Sequence, residues 1–181
     1  MRKRSLEAGA AVLLLLAVGA ITTGFVDYRN RNQALSLALD RQEMTQVKAL
    51  IRRGADPNTQ SPRGNRALTW AAAWPDEPLV TELLDRGARI DGANRQGATP
   101  LMAAAGWGYT GMVKLLLQRG ADASLKDKRG RTARQYAQEF LSGMQAHSLR
   151  RATTKPDQRA VSAKRNIDQI SELLRQAEKP R

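Results

Sequence analysis

The sequence predicts a mainly α-helical solenoid, a stack of helix–loop–helix units joined by short hairpin loops. The first observation is a leucine-rich helical turn followed by Gly-Ala, which recurs every 33 residues. It reads Leu50-Ile51-Arg52-Arg53-Gly54-Ala55-Asp56, Leu83-Leu84-Asp85-Arg86-Gly87-Ala88-Arg89 and Leu116-Leu117-Gln118-Arg119-Gly120-Ala121-Asp122. The second is that other positions keep the same register: Gly64, Gly97 and Gly130; Leu35, Leu68 and Leu101; Val47, Val80 and Val113. The third is a cluster of turn formers between units, as in Asp56-Pro57-Asn58 and Asp91-Gly92-Ala93-Asn94. A fixed period of this length marks units that bury their apolar faces only against neighbours.

The chain begins with a separate device. Residues 1–7 form a basic region containing Arg2-Lys3-Arg4, and residues 8–26 an apolar run broken only by Gly and Thr. Such a pair reads as a secretory signal, with Val18-Gly19-Ala20 as a cleavage site, or as an uncleaved membrane anchor. About nineteen residues at ~1.5 Å rise span ~28 Å, close to a hydrocarbon core of about 30 Å. A third reading is a buried N-terminal helix. Positive charge ahead of the run favours the N-terminus inside and the repeats outside, although Arg29 and Arg31 follow closely. Both leading readings carry the repeats across a membrane. In a bacterial cell the protein would then be anchored in the inner membrane facing the periplasm, or be periplasmic after cleavage.

The repeats follow. The first unit, residues 30–63, is degenerate, with Arg31 at the glycine position. The second covers 64–96 and the third 97–129. In the third, Thr99 suits a helix N-cap and Pro100 the first helical position. Ala103, Ala104 and Ala105 make a thin helix that a neighbour can approach closely. Met112, Val113, Leu116 and Leu117 form one buried stripe on a second helix, and Gly120 stops it. Asp76-Glu77 stand at a helix start, where the N-terminal dipole explains two adjacent carboxylates.

A fourth unit, residues 130–177, begins Gly130-Arg131-Thr132-Ala133 but lacks a leucine stripe near residue 143. Residues 142–163 read as a polar, loop-like basic insertion containing Ser142-Gly143, Arg150-Arg151 and Lys155-Pro156. Beyond it, Ile170, Leu173 and Leu174 align with Val113, Leu116 and Leu117. This helix is expected to close the fourth unit and cover the apolar side of the third. The competing reading is a free amphipathic tail.

Around Gly97 the chain reads Gly97-Ala98-Thr99-Pro100-Leu101-Met102-Ala103-Ala104-Ala105. This resembles the ankyrin repeat, whose signature runs Gly-x-Thr-Pro-Leu-His-x-Ala-Ala, with Met102 in place of the usual His. The second unit departs further, with Arg66-Ala67-Leu68 for Thr-Pro-Leu and Pro75-Asp76 where Gly-His is common. The resemblance, of a bacterial type with an N-terminal signal or anchor, covers roughly residues 30 to 141. It implies a scaffold, inhibitor or accessory factor that binds proteins through its concave face and hairpin tips.

The chemistry of the residues agrees with a non-enzymatic role. There are no cysteines, which excludes disulfides, thiolate metal sites and a Cys nucleophile. The one histidine, His147, has no nearby carboxylate pair, and no phosphate-cradling Gly-rich loop with a following Lys is present. Neither a cofactor nor a metal is expected. The net charge is +13, from 30 basic and 17 acidic residues. It is spread over the apolar leader, the repeats and the C-terminal region, which is compatible with a solvated surface or with attraction to an anionic partner. No nucleic-acid-binding module is recognisable, so nucleic acid is a disfavoured partner.

One constellation stands out when the units are superposed. Trp74 and Trp107 share a register at the exposed end of the first helix and lie off the leucine stripe. By register their tip-side neighbours are Arg63 and Asn65, then Arg95 and Gln96, then Lys128, Arg129 and Arg131. Two Trp beside several Arg is an interface hot-spot composition; the alternative is that the rings pack on the adjacent helix. Trp70 aligns with Ala103 inside the helix and is expected in core or inter-repeat packing. The sequence therefore predicts an interaction module with a protein partner, tethered to or exported across a membrane by its N-terminal segment. The alternative is that the basic insertion and tail bind an anionic surface or polymer.

Overall fold

The computed structural model describes residues 24–150 and 158–178. Residues 1–7, and the apolar run 8–26 as far as residue 23, lie outside them, as do 151–157. Among the described residues no helix is long and apolar enough to cross a membrane.

Among the described residues eight helices form two rows: α1 (24–41), α2 (Met44–Arg52), α3 (Ala67–Ala71), α4 (Glu77–Asp85), α5 (Pro100–Gly106), α6 (Thr110–Gln118), α7 (Ala133–Arg150) and α8 (Gln158–Ala177). No strand occurs among the described residues; one isolated bridge joins Gln60 and Arg66. The 33-residue register becomes a spatial repeat. α2, α4 and α6 each begin 33 residues after the last, as do α3, α5 and α7. α5 packs between α3 and α7, and α6 between α4 and α8.

The core is the leucine–alanine seam between the rows. Leu35, Leu39, Val47, Ile51, Val80, Leu83, Val113 and Leu116 are wholly buried, with Ala71, Ala104 and Ala137 where first helices meet. Small residues there let backbones approach, and branched residues of the second helices fill the space behind them.

The helix ends follow local chemistry. Thr99 Oγ1 accepts the Met102 backbone N–H at 3.3 Å, and the Met102 sulfur receives the Thr99 N–H at 3.4 Å. Met102 thus takes part in the N-terminal cap as well as in the core. Asp76 caps α4 by accepting from Leu79 N at 3.2 Å. Its carboxyl also meets Lys48 of the preceding unit. At the C-termini the chain turns back through Ala55 N to Leu50 O, Ala88 N to Leu83 O and Ala121 N to Leu116 O, at 2.9–3.0 Å.

The second unit has its own solution where it departs from Thr-Pro-Leu. Arg66 at the N-cap makes no side-chain cap, and α3 is the shortest helix at 5 residues. Its guanidinium instead braces two loops, donating to Asn58 O at 3.1 Å and Ala93 O at 2.9 Å.

The C-terminal region differs from the loop expected at Ser142. α7 runs on without a break to Arg150, and α8 begins at Gln158, ahead of the expected helix. α8 lies against both α6 and α7, with Ile167, Ile170 and Leu174 buried. Its stripe is set differently from that of α6. Leu173 is half-buried where its counterpart Leu116 is buried, and Leu174 is buried where Leu117 is only half-buried. α8 has no further helix beyond it among the described residues, so its apolar side needs to serve only α6 and α7. Asp168, Gln169, Glu172, Arg175 and Gln176 face solvent.

Candidate protein-binding groove

The groove is built by the hairpins. Ser61, Asn94 and Asp127 are the same repeat position, and each closes its turn with its own side chain. Ser61 Oγ accepts from Asn65 N at 3.1 Å. Asn94 Oδ1 accepts from the N–H groups of Gln96 and Ala98, both at 3.0 Å. Asp127 Oδ1 accepts from those of Arg129 and Arg131, at 2.9 and 2.8 Å. Neighbouring turns are then joined, Arg95 N to Gly64 O and Lys128 N to Gln96 O, both at 3.1 Å.

That junction explains the invariant spacing of Gly64 and Gly97. Their φ values are 83° and 84°, a region that side chains disfavour. A Cβ on Gly97 would also stand 2.9 Å from Lys128 N, and one on Gly64 would collide with Arg95 Cβ. The next hairpin occupies the place of the missing side chain.

Between the hairpins and the first helices lies a groove of about 670 Å³. Its floor is Trp70, Ala73, Ala103, Gly106 and Trp107, with Tyr136 at one end. Its wall carries Asn65, Arg95, Gln96, Lys128, Arg129 and Arg131, six of the residues singled out from register. Trp107, also on the floor, is 57% exposed. Trp74 and Arg63 do not line the groove. Trp74 is exposed in the turn that follows α3, not at the helix end expected from register, with its ring 6.3 Å from that of Trp70. Arg63 is exposed at the first hairpin tip.

Trp70 and Tyr136 are lining residues that register alone did not single out. Trp70 packs against the core and also faces the groove. The signal was present: Leu37, Trp70, Ala103 and Tyr136 share one register, as do Trp74, Trp107 and Phe140. Tyr136 lies against Gly106, where a Cβ would meet its ring at 3.1 Å.

Arg131 differs from the other wall cations. It donates through Nε and Nη2 to Asp127 and through Nη1 to Glu139, and its guanidinium lies 4.4 Å from the Tyr136 ring centre. The Tyr136 hydroxyl donates to Asp127 at 2.8 Å. Burial opposes ionisation of Asp127, but hydrogen bonds from the Arg131 backbone, the Tyr136 hydroxyl, the Arg131 guanidinium and the Arg129 backbone outweigh it. They hold the carboxyl well below the usual carboxylate range. Burial, then the bond to Asp127, pushes the Tyr136 hydroxyl up.

No group of three or more His, Cys, Asp or Glu with metal-site geometry occurs among the described residues. The groove can present flat aromatic surface and guanidinium or ammonium donors to a ligand.

This geometry agrees with the family comparison. The chain matches the ankyrin repeats family, in three copies, over residues 35–127, just over half its length. It belongs to that family, and it is a protein–protein interaction module of a kind generally without enzymatic activity. A comparison with curated proteins gave no match.

Proposed function

We propose that the protein docks a protein partner in this groove and on its hairpin tips, without catalysing a reaction, while its N-terminal segment holds it at a membrane or exports it. The observation that carries the reading is Trp107: a large ring, 57% exposed, on the floor of a groove walled by cations. Exposed aromatic and Arg side chains clustered in a concavity are what interface hot spots are made of. The basic residues 1–7 and apolar run 8–26 support the membrane part, with the repeats on the far side.

Immobilised protein should recover a partner from membrane and periplasmic fractions, and the Trp74→Ala/Trp107→Ala pair should lose it. Truncating a buried anchor, the role proposed for Trp107 in the complex, commonly costs about 2 kcal/mol or more. Capture indifferent to both changes excludes this face. Mass spectrometry of the mature N-terminus separates an anchored from a cleaved form.

A further inference from the structure

The charge around the groove is one-sided. Arg95 and Lys128 occupy the same position in successive hairpins, and Arg63 and Arg129 the same position two units apart. All four are exposed. None forms an ion pair among the described residues. Four cations on or at the ends of the second helices behave otherwise: Lys48 pairs with Asp76, Arg52 and Arg86 with Glu82, and Arg119 with Asp85. The carboxylate that lines the groove, Asp127, is buried and already satisfied by Arg131, Tyr136 and two backbone N–H groups. A ligand therefore meets unneutralised cations along one wall and apolar floor beneath them.

The repeat also sets a spacing. Stacked helices lie about 8–10 Å apart, which sets about that step between the equivalent cations Arg95 and Lys128 of successive units. A helical ligand returns to the same face every ~5.4 Å, and a β-strand every ~6.7 Å. A polyproline-II chain does so every third residue, at ~3.1 Å per residue, or about 9 Å. Only the last matches the step from Arg95 to Lys128.

We infer that the groove takes an acidic, extended peptide segment, with carboxylates three residues apart directed at the hairpin wall and apolar side chains between them on the Trp70–Trp107 floor. This rests on the concave face being the docking surface. The chain's own basic residues 1–7 and its Arg150-Arg151 stretch carry the wrong sign to be the occupant.

The test is fluorescence anisotropy with the full-length protein and labelled peptides of about twelve residues, four polyproline-II turns. One peptide carries Glu at every third position with Leu and Pro between. A second replaces Glu by Gln, and a third has the same composition with the acids consecutive. The first should bind at least about tenfold tighter than the other two, and weaken as salt rises. The Arg95→Glu/Lys128→Glu pair and Trp107→Ala should each cost it about tenfold or more, with circular dichroism showing both variants folded. If the Glu and Gln peptides bind equally and Trp107→Ala still abolishes binding, the groove survives and the acidic ligand is overturned. If the consecutive-acid peptide binds as well as the first, the spacing is overturned. If Trp107→Ala changes nothing, the docking face itself is wrong. Duplex DNA or anionic vesicles binding as tightly as the first peptide, in competition with it, would replace the peptide by a general polyanion. No binding of the first peptide overturns the inference.

Discussion

Arg131 donates from Nε and Nη2 to a single oxygen of Asp127, at 3.0 and 2.8 Å. The other oxygen of that carboxylate holds the turn through the N–H groups of Arg129 and Arg131. The amide of Asn94 performs the same turn-closing task one unit earlier. The hairpins are therefore closed from within, and tip residues such as Arg95 and Lys128 are left for other uses.

The Asp127 carboxyl gives the protein an acid-sensitive contribution to stability. Its folded pKa lies below its unfolded value of about 3.9. Its stabilisation is thus fully present above about pH 4 and is lost as pH falls through the folded value. Thermal melts should show a falling Tm below about pH 4. Asp127→Asn should cost about 2–3 kcal/mol at pH 7, from weakened charge-assisted hydrogen bonds, and should flatten the acid limb. An acid limb unchanged by the substitution would assign it to other groups.

Gly97 and Gly130 separate two causes of glycine selection. Both have positive φ, 84° and 76°. A Cβ on Gly97 meets Lys128 N at 2.9 Å, whereas one on Gly130 meets nothing within 4 Å. Gly130→Ala should cost about 1–2 kcal/mol, the left-handed penalty alone. Gly97→Ala should cost at least about 1 kcal/mol more, because the hairpin junction must open. Equal losses in urea titrations would mean that the junction yields freely.

α8 should behave as part of the stack. Ile170 is wholly buried against it, and Ile170→Ala should cost about 2–5 kcal/mol. Removing residues 160–181 should lower Tm further by exposing the far side of α6. An unchanged Tm on truncation would make α8 a mere attachment.

The two groove tryptophans should separate by burial. Trp70 packs against the core while Trp107 is 57% exposed. Trp70→Ala should cost about 2 kcal/mol or more, and Trp107→Ala less than about 1 kcal/mol. The reverse order in chemical denaturation would place the Trp107 ring in the stabilising core.

The repeat was legible because its period is enforced by packing. Gly97 is required by the neighbouring hairpin, and Leu83 and Leu116 by the neighbouring helix, so register in the sequence is register in space. The extent of α7 was hidden by composition: Ser142-Gly143 and a run of polar residues resemble a loop. The helix continues through them all the same, with α5 and α8 packed against α7, and local propensity is a weak guide to where a helix ends. Trp70 illustrates the limit at the site. Register placed it inside the helix, but did not show that the same ring also lines the groove. The commitment of Arg131 to Asp127 was likewise invisible, since the two lie in one turn of a basic stretch that reads as uniformly exposed.

Site-specific photocrosslinking tests docking in the groove at the residue level. A photoreactive residue replaces either Trp107, on the groove floor, or Lys114, exposed on α6, and the full-length protein is irradiated in its native cells. Docking in the groove predicts a discrete protein adduct from position 107 and none from position 114. Adducts from position 114 alone, or the same adducts from both, would contradict it.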